Sequence, residues 1–196
     1  IKAFTSTQIP FLAETQIQIF AETQIAALTT LQVQELTTTQ VHVLNTTQIA
    51  SLTAAQVAKL ETTDLAILSN TQIQALTSTQ VAVLTTSQIQ ALTTTQIDVL
   101  DVTQIKALTA GQVAKIETTD LVVLDTTQIQ ALTTAQVSAL TTTQIQALTT
   151  TQVQALSTTQ IRSFTTDQVA KLETTDLALL ADTQIQALTT AQVAAF

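Results

Sequence analysis

The chain has 196 residues, a formal net charge of −8 at pH 7, and no Cys, Met, Trp or Tyr. The missing thiols exclude disulfides, thiolate metal sites and cysteine nucleophiles together, without fixing the compartment. Six basic residues against 14 acidic ones leave no basic stripe of the kind nucleic-acid binding requires.

An eight-residue unit starts at Thr5 and runs to Phe196 without insertion or deletion, giving 24 copies after a leading half-unit. Its purest stretch is 141–156, TTTQIQAL followed by TTTQVQAL. Position four is Gln in every copy except those with Asp64, Asp120 and Asp176. Position five is always Ile, Val or Leu, and position eight is Leu apart from Phe20, Phe164, Phe196 and Ile116. A period this short and this sustained indicates a solenoid, so 1–196 reads as a single octapeptide-repeat array.

Position one is Thr, Ser, Asp or Asn in 18 of the 24 copies, each with Gln three residues later. That is the capping-box spacing, in which the first side chain accepts from the fourth N–H and the Gln side chain reaches back to the first. Each octad is therefore predicted as a helix of about one and a half turns, opened by Thr and burying Ile and Leu on one face. One continuous helix is excluded, because eight residues leave about 80° of drift per unit and the apolar stripe would spiral. So short a helix does not stand alone, and stability belongs to the stack. The rival is a β-solenoid, favoured by the Thr, Ile and Val content. It conflicts with the opposite parity of positions five and eight, and with a chain holding a single glycine, Gly111, and a single proline, Pro10.

In chain order, the sequence opens at Ile1 half-way through a unit and closes on the last position of one, as a slice of a longer array would. The first units, residues 5–36, are the least regular: Pro10 removes a donor from its octad, and Phe11, Ile19 and Phe20 bring bulk where later copies have Ala or Leu. From Thr37 a second period appears. VAKLETTDL at residues 57–65 returns at 113–121 and 169–177, each time 56 residues on, which is seven octads. The recurring charged residues are Lys59, Glu61, Asp64; Lys115, Glu117, Asp120; and Lys171, Glu173, Asp176. Block duplication is one reading of them. A geometric reading is that seven octads complete a whole number of superhelical turns, which would align the triplets as inter-repeat or assembly contacts.

Chemistry is sparse. His42 is the only His and is expected to be an exposed substitution. Glu61 with Asp64, and its two copies, offers oxygen ligands of the type Ca²⁺ takes, but the nearby Lys competes for the carboxylates and a local ion pair is the simpler reading. The Gln column is either an amide ladder between units or the reciprocal half of the cap, the latter being more economical. Thr and Gln are expected to fill the hydrated faces. No phosphate loop, paired general acid and base, or GxSxG turn is present, so no enzyme and no cofactor are expected, and no window is apolar enough to span a membrane. Regular Thr hydroxyls raise ice binding as a minor alternative, which would need the flat β-coil.

Runs such as LTTAQVSALTTTQIQALTTTQVQAL resemble the short Thr/Gln-rich LTxxQ[IV]xxL repeats of very large bacterial secreted and cell-surface proteins of adhesin or filament type. The resemblance covers essentially the whole chain and implies an extracellular or cell-surface structural role. The charged triplet has no counterpart in that pattern. The expectation is thus an all-α solenoid of very short capped helices, serving as a self-associating or spacing module of a filament, stalk or adhesin. A scaffold binding a protein or polysaccharide through its Thr/Gln face is the alternative.

Overall fold

A computed structural model describes residues 3–196. Its contacts divide the chain into two compact units, one ending at Leu100 and the other spanning Asp101–Phe196. The division falls between two octads, so no repeat is cut. Within each unit every octad forms one short helix, and no strand occurs among the described residues. The β-solenoid alternative is thereby removed.

The octad at residues 141–148 shows why the chain folds this way. Thr141 is extended at φ −69°, ψ 158°, and its hydroxyl accepts from the Gln144 N–H at 3.1 Å. In return the Thr141 N–H donates to Gln144 Oε1 at 2.8 Å. The helix Thr142–Ala147 follows, and Leu148 returns to extended backbone at φ −57°, ψ 135°. Two extended residues, Leu148 and Thr149, turn the chain into the next helix. Position one caps while position eight breaks, so the bend uses no left-handed residue: none of the described residues has positive φ. That is how 24 helices fit in a chain with a single glycine.

Side-chain burial has the octad's own period. Position five is essentially sealed, as at Ile49, Ile73, Ile105 and Ile145, and position eight is nearly so, as at Leu52, Leu76 and Leu148. Helices three octads apart pack together: Glu22–Ala26 on Thr46–Ser51 and Thr62–Ala66 on Thr86–Ala91 in the first unit, Ala110–Val113 on Thr134–Ala139 and Thr126–Ala131 on Thr150–Ala155 in the second. Each unit is therefore a solenoid whose core is the stacked Ile/Val and Leu columns. Pro10 has the predicted effect, since its octad folds as the 3-10 segment Ser6–Phe11 while the following octads are α-helical. Phe11 and Ile19 there are 88% and 80% exposed.

One expectation is overturned. The position-four glutamines do not belong to the hydrated face: from Gln32 onward they are buried as deeply as the leucines, Gln48 and Gln56 at 1% exposure.

Candidate functional site

A buried amide costs free energy unless its donors and acceptor find partners, and the position-four glutamines find them in two directions. Gln80 accepts the Thr77 N–H through Oε1 at 2.7 Å. Its Nε2 donates to the carbonyls of Ile49 at 2.9 Å and Leu52 at 2.6 Å, 31 and 28 residues earlier. Gln40, Gln48, Gln56 and Gln96 repeat the arrangement in the first unit. In the second, Gln136, Gln144, Gln152, Gln160, Gln168, Gln184 and Gln192 do the same. The cap and the amide ladder are thus not alternatives, because the oxygen of one amide caps its own helix while the nitrogen ties that helix to the preceding turn. The same amide reaches carbonyls at the end of each helix: Leu52 has no other donor, whereas Ile49 also accepts the Leu52 N–H. The position-four periodicity carried this signal in the sequence; the 28-residue reach did not.

A second column of ties is built by position six. His42 Nδ1 donates to the Ile67 carbonyl at 3.2 Å, Gln74 Nε2 to Val99 at 3.3 Å, Ser138 Oγ to Ser163 at 2.6 Å and Gln154 Nε2 to Leu179 at 3.1 Å. His42 is exposed as expected, yet it holds a place in this column. Bonds between turns therefore join residues 25 to 31 apart, centred on 28. Twenty-eight residues are three and a half octads, so seven octads make two turns, and the 56-residue period of the charged triplets matches the winding within a unit.

The triplets themselves divide between inside and outside. Lys59, Glu61, Lys115, Glu117, Lys171 and Glu173 are exposed, whereas Asp64, Asp120 and Asp176 are buried. Asp is shorter than Gln and, as a carboxylate, has no N–H to donate, so the bridge to the earlier turn is lost in these octads. Glu61 and Glu173 open their helices without a side-chain cap bond. A hydroxyl compensates in the reverse direction: Thr150 Oγ1 donates to Asp176 Oδ1 at 2.8 Å, and the Thr38 hydroxyl stands in the same register to Asp64, each Thr 26 residues before its Asp. The carbonyls of Leu36 and Leu148, which by register would accept from a Gln at 64 and 176, receive no donor among the described residues. Asp64 Oδ2 is buried with no hydrogen-bond partner.

Outside this rung, Lys59 and Glu61 join Gln34, Thr63, Thr85 and Gln88 around an open polar cleft of about 440 Å³. An apolar cleft of about 450 Å³ lies along Glu14, Thr38, His42, Val43 and Ile67. Among the described residues no three His, Asp or Glu side chains converge as metal ligands, so the Ca²⁺ reading of the Glu/Asp pair finds no ligand set. Among the described residues no helix is long and apolar enough to cross a membrane.

With this geometry in view, the match to a known family is direct. The sequence profile of the ALTTAQ repeat matches residues 20–54, 57–94 and 113–150, more than half of the chain. The chain belongs to the ALTTAQ repeat family. The six letters of that name stand unaltered at residues 131–136. They are positions seven, eight and one to four of the octad: the helix-breaking Leu, the capping Thr and the Gln that ties turns together. In an ALTTAQ repeat the name thus covers the junction between two helices, where all three kinds of contact meet. No curated protein gives a significant match to the chain.

Proposed function

We propose that this ALTTAQ array is a non-catalytic structural module that spaces or self-associates within an extracellular filament, stalk or adhesin. The observation that carries the reading is the turn-to-turn amide bond, which makes every turn both donor to the one before and acceptor for the one after. Gln8, Gln16 and Gln24 use their oxygens for capping, while their Nε2 groups meet no acceptor among the described residues. The carbonyls of Leu172, Leu180 and Leu188 likewise receive no donor. Location outside the cell rests on the likeness of the octads to repeats of secreted adhesin and filament proteins.

The polar cleft at Lys59 and Glu61 favours a second reading, a scaffold that docks a protein or polysaccharide. Sedimentation and negative-stain microscopy of the purified array separate the two. Concentration-dependent rods that lengthen by whole turns support the structural module. A monomer at all concentrations that binds a glycan or protein through the Lys59 cleft supports the scaffold and removes self-association.

A further inference from the structure

We propose that Asp64 is a buried proton-binding site: the folded stack favours its protonated carboxyl, and loss of that proton loosens the turn that carries it. Asp64 is 2% exposed, and its Oδ2 has no partner. The groups that favour its ionised form are the Thr38 hydroxyl and the Glu61 backbone N–H, whereas an ionised carboxylate has about four lone-pair sites to fill. In the sister octads the carbonyl 28 residues earlier accepts from Gln Nε2, as Leu52 does from Gln80 at 2.6 Å. Leu36, the counterpart for Asp64, has no donor among the described residues. The rung therefore leaves two acceptors, Asp64 Oδ2 and the Leu36 carbonyl, without a donor among the described residues.

A metal ion is a poor occupant. No cluster of three acidic or His ligands exists among the described residues, Ca²⁺ takes six to eight oxygens, and Oδ2 is sealed from anything of a water's size. The proton is the one counter-charge that enters without opening the stack. Burial acts in the same direction, pushing the Asp64 carboxyl above its ordinary 3.8 by desolvation; Glu61 adds to the rise, and the Thr38 hydroxyl and Glu61 N–H oppose it. The other ionisable groups on the segments around Asp64 are His42 at the end of Thr38–His42, Lys59 and Glu61 on its own approach, Glu35 beside Leu36, and Asp98 at the end of Thr94–Asp98, whose Gln96 is bonded to Leu65 and Leu68; the helix Thr86–Ala91 packed against it carries none.

Because the native state holds the proton more tightly than the unfolded chain, stability from this site is complete below 3.8 and is lost as pH rises through the higher native value. The test is a carboxyl-carbon NMR titration of the whole chain with labelled Asp, assigned by the signal that disappears in Asp64→Asn, together with urea unfolding of wild type, Asp64→Asn and Asp64→Gln from pH 3.5 to 7.5. Asp64→Gln installs the residue that most octads carry, so it folds. The expected results are an Asp64 midpoint shifted above 3.8 and an advantage of both variants over wild type that grows as pH rises. An Asp64 midpoint at or below 3.8, or an advantage constant across the range, overturns the proposal. Stabilisation of wild type but not Asp64→Asn by added Ca²⁺ overturns it too, in favour of a metal occupant.

Discussion

At the scale of single residues, the glutamine at position four has three tasks that no other side chain of its size combines. It is an acceptor for its own helix, a donor to an earlier turn and a buried filler. Removing the Gln80 amide leaves the Leu52 carbonyl and the Thr77 N–H without partners, while Ile49 keeps the Leu52 N–H as a donor, and each buried group left without a partner costs about 1–3 kcal/mol. Gln80→Ala is therefore expected to lose about 2–5 kcal/mol in urea unfolding. Gln16→Ala, whose amide nitrogen has no acceptor to lose, is expected to lose about 1 kcal/mol or less. Capping threonines stand lower: Thr77→Ala removes the bond to the Gln80 N–H at 3.3 Å and is expected to cost about 1 kcal/mol. Ala13, Ala21 and Ala181 already stand at that position with only the Gln half of the cap, which shows that the glutamine half alone suffices locally.

At the scale of the octad, helix was legible because positions five and eight share a helical face but not a strand face, and because the Thr to Gln spacing names a cap. Ile145 and Leu148 were legible as core for the same reason. What stayed hidden was the burial of Gln, since an amide reads as a surface group until the carbonyl that accepts from it, 28 residues away, is in place. The candidate site was legible in part: the 56-residue period marked Asp64, Asp120 and Asp176, but their neighbours Lys and Glu made them look like exposed charges. The octad already placed each of them in the glutamine column; only the three-dimensional register shows that the column is core. The octad also predicts how the chain tolerates editing. Deleting residues 141–148 removes one whole unit and brings equivalent positions back into register, so helical circular dichroism per residue is expected to be unchanged. Deleting residues 141–144 places Thr where Ile belongs, and is expected to abolish cooperative unfolding of the second unit. Ile145→Ala, at a sealed position, is expected to cost about 2–5 kcal/mol by the same measurement.

At the scale of the whole molecule, each turn touches only its neighbours, so stability within a unit is a sum of rungs and interfaces in place of a single core. The acidic rungs then matter out of proportion to their number, because an array of this kind opens where its weakest interface lies. Asp64 and Asp176 lack the amide bridge that their neighbours have, and hydrogen exchange is expected to be faster for the backbone around Leu65 and Leu177 than around Ile89 and Ile145. The central claim is that glutamine side chains, in addition to the apolar columns, hold one turn to the next. It is tested most directly by measuring hydrogen exchange of the glutamine side-chain amides by NMR. Protection of the Gln48, Gln80 and Gln160 amide protons well beyond those of Gln16 is the predicted result, and exchange of all of them at the rate of a free glutamine amide would contradict the account.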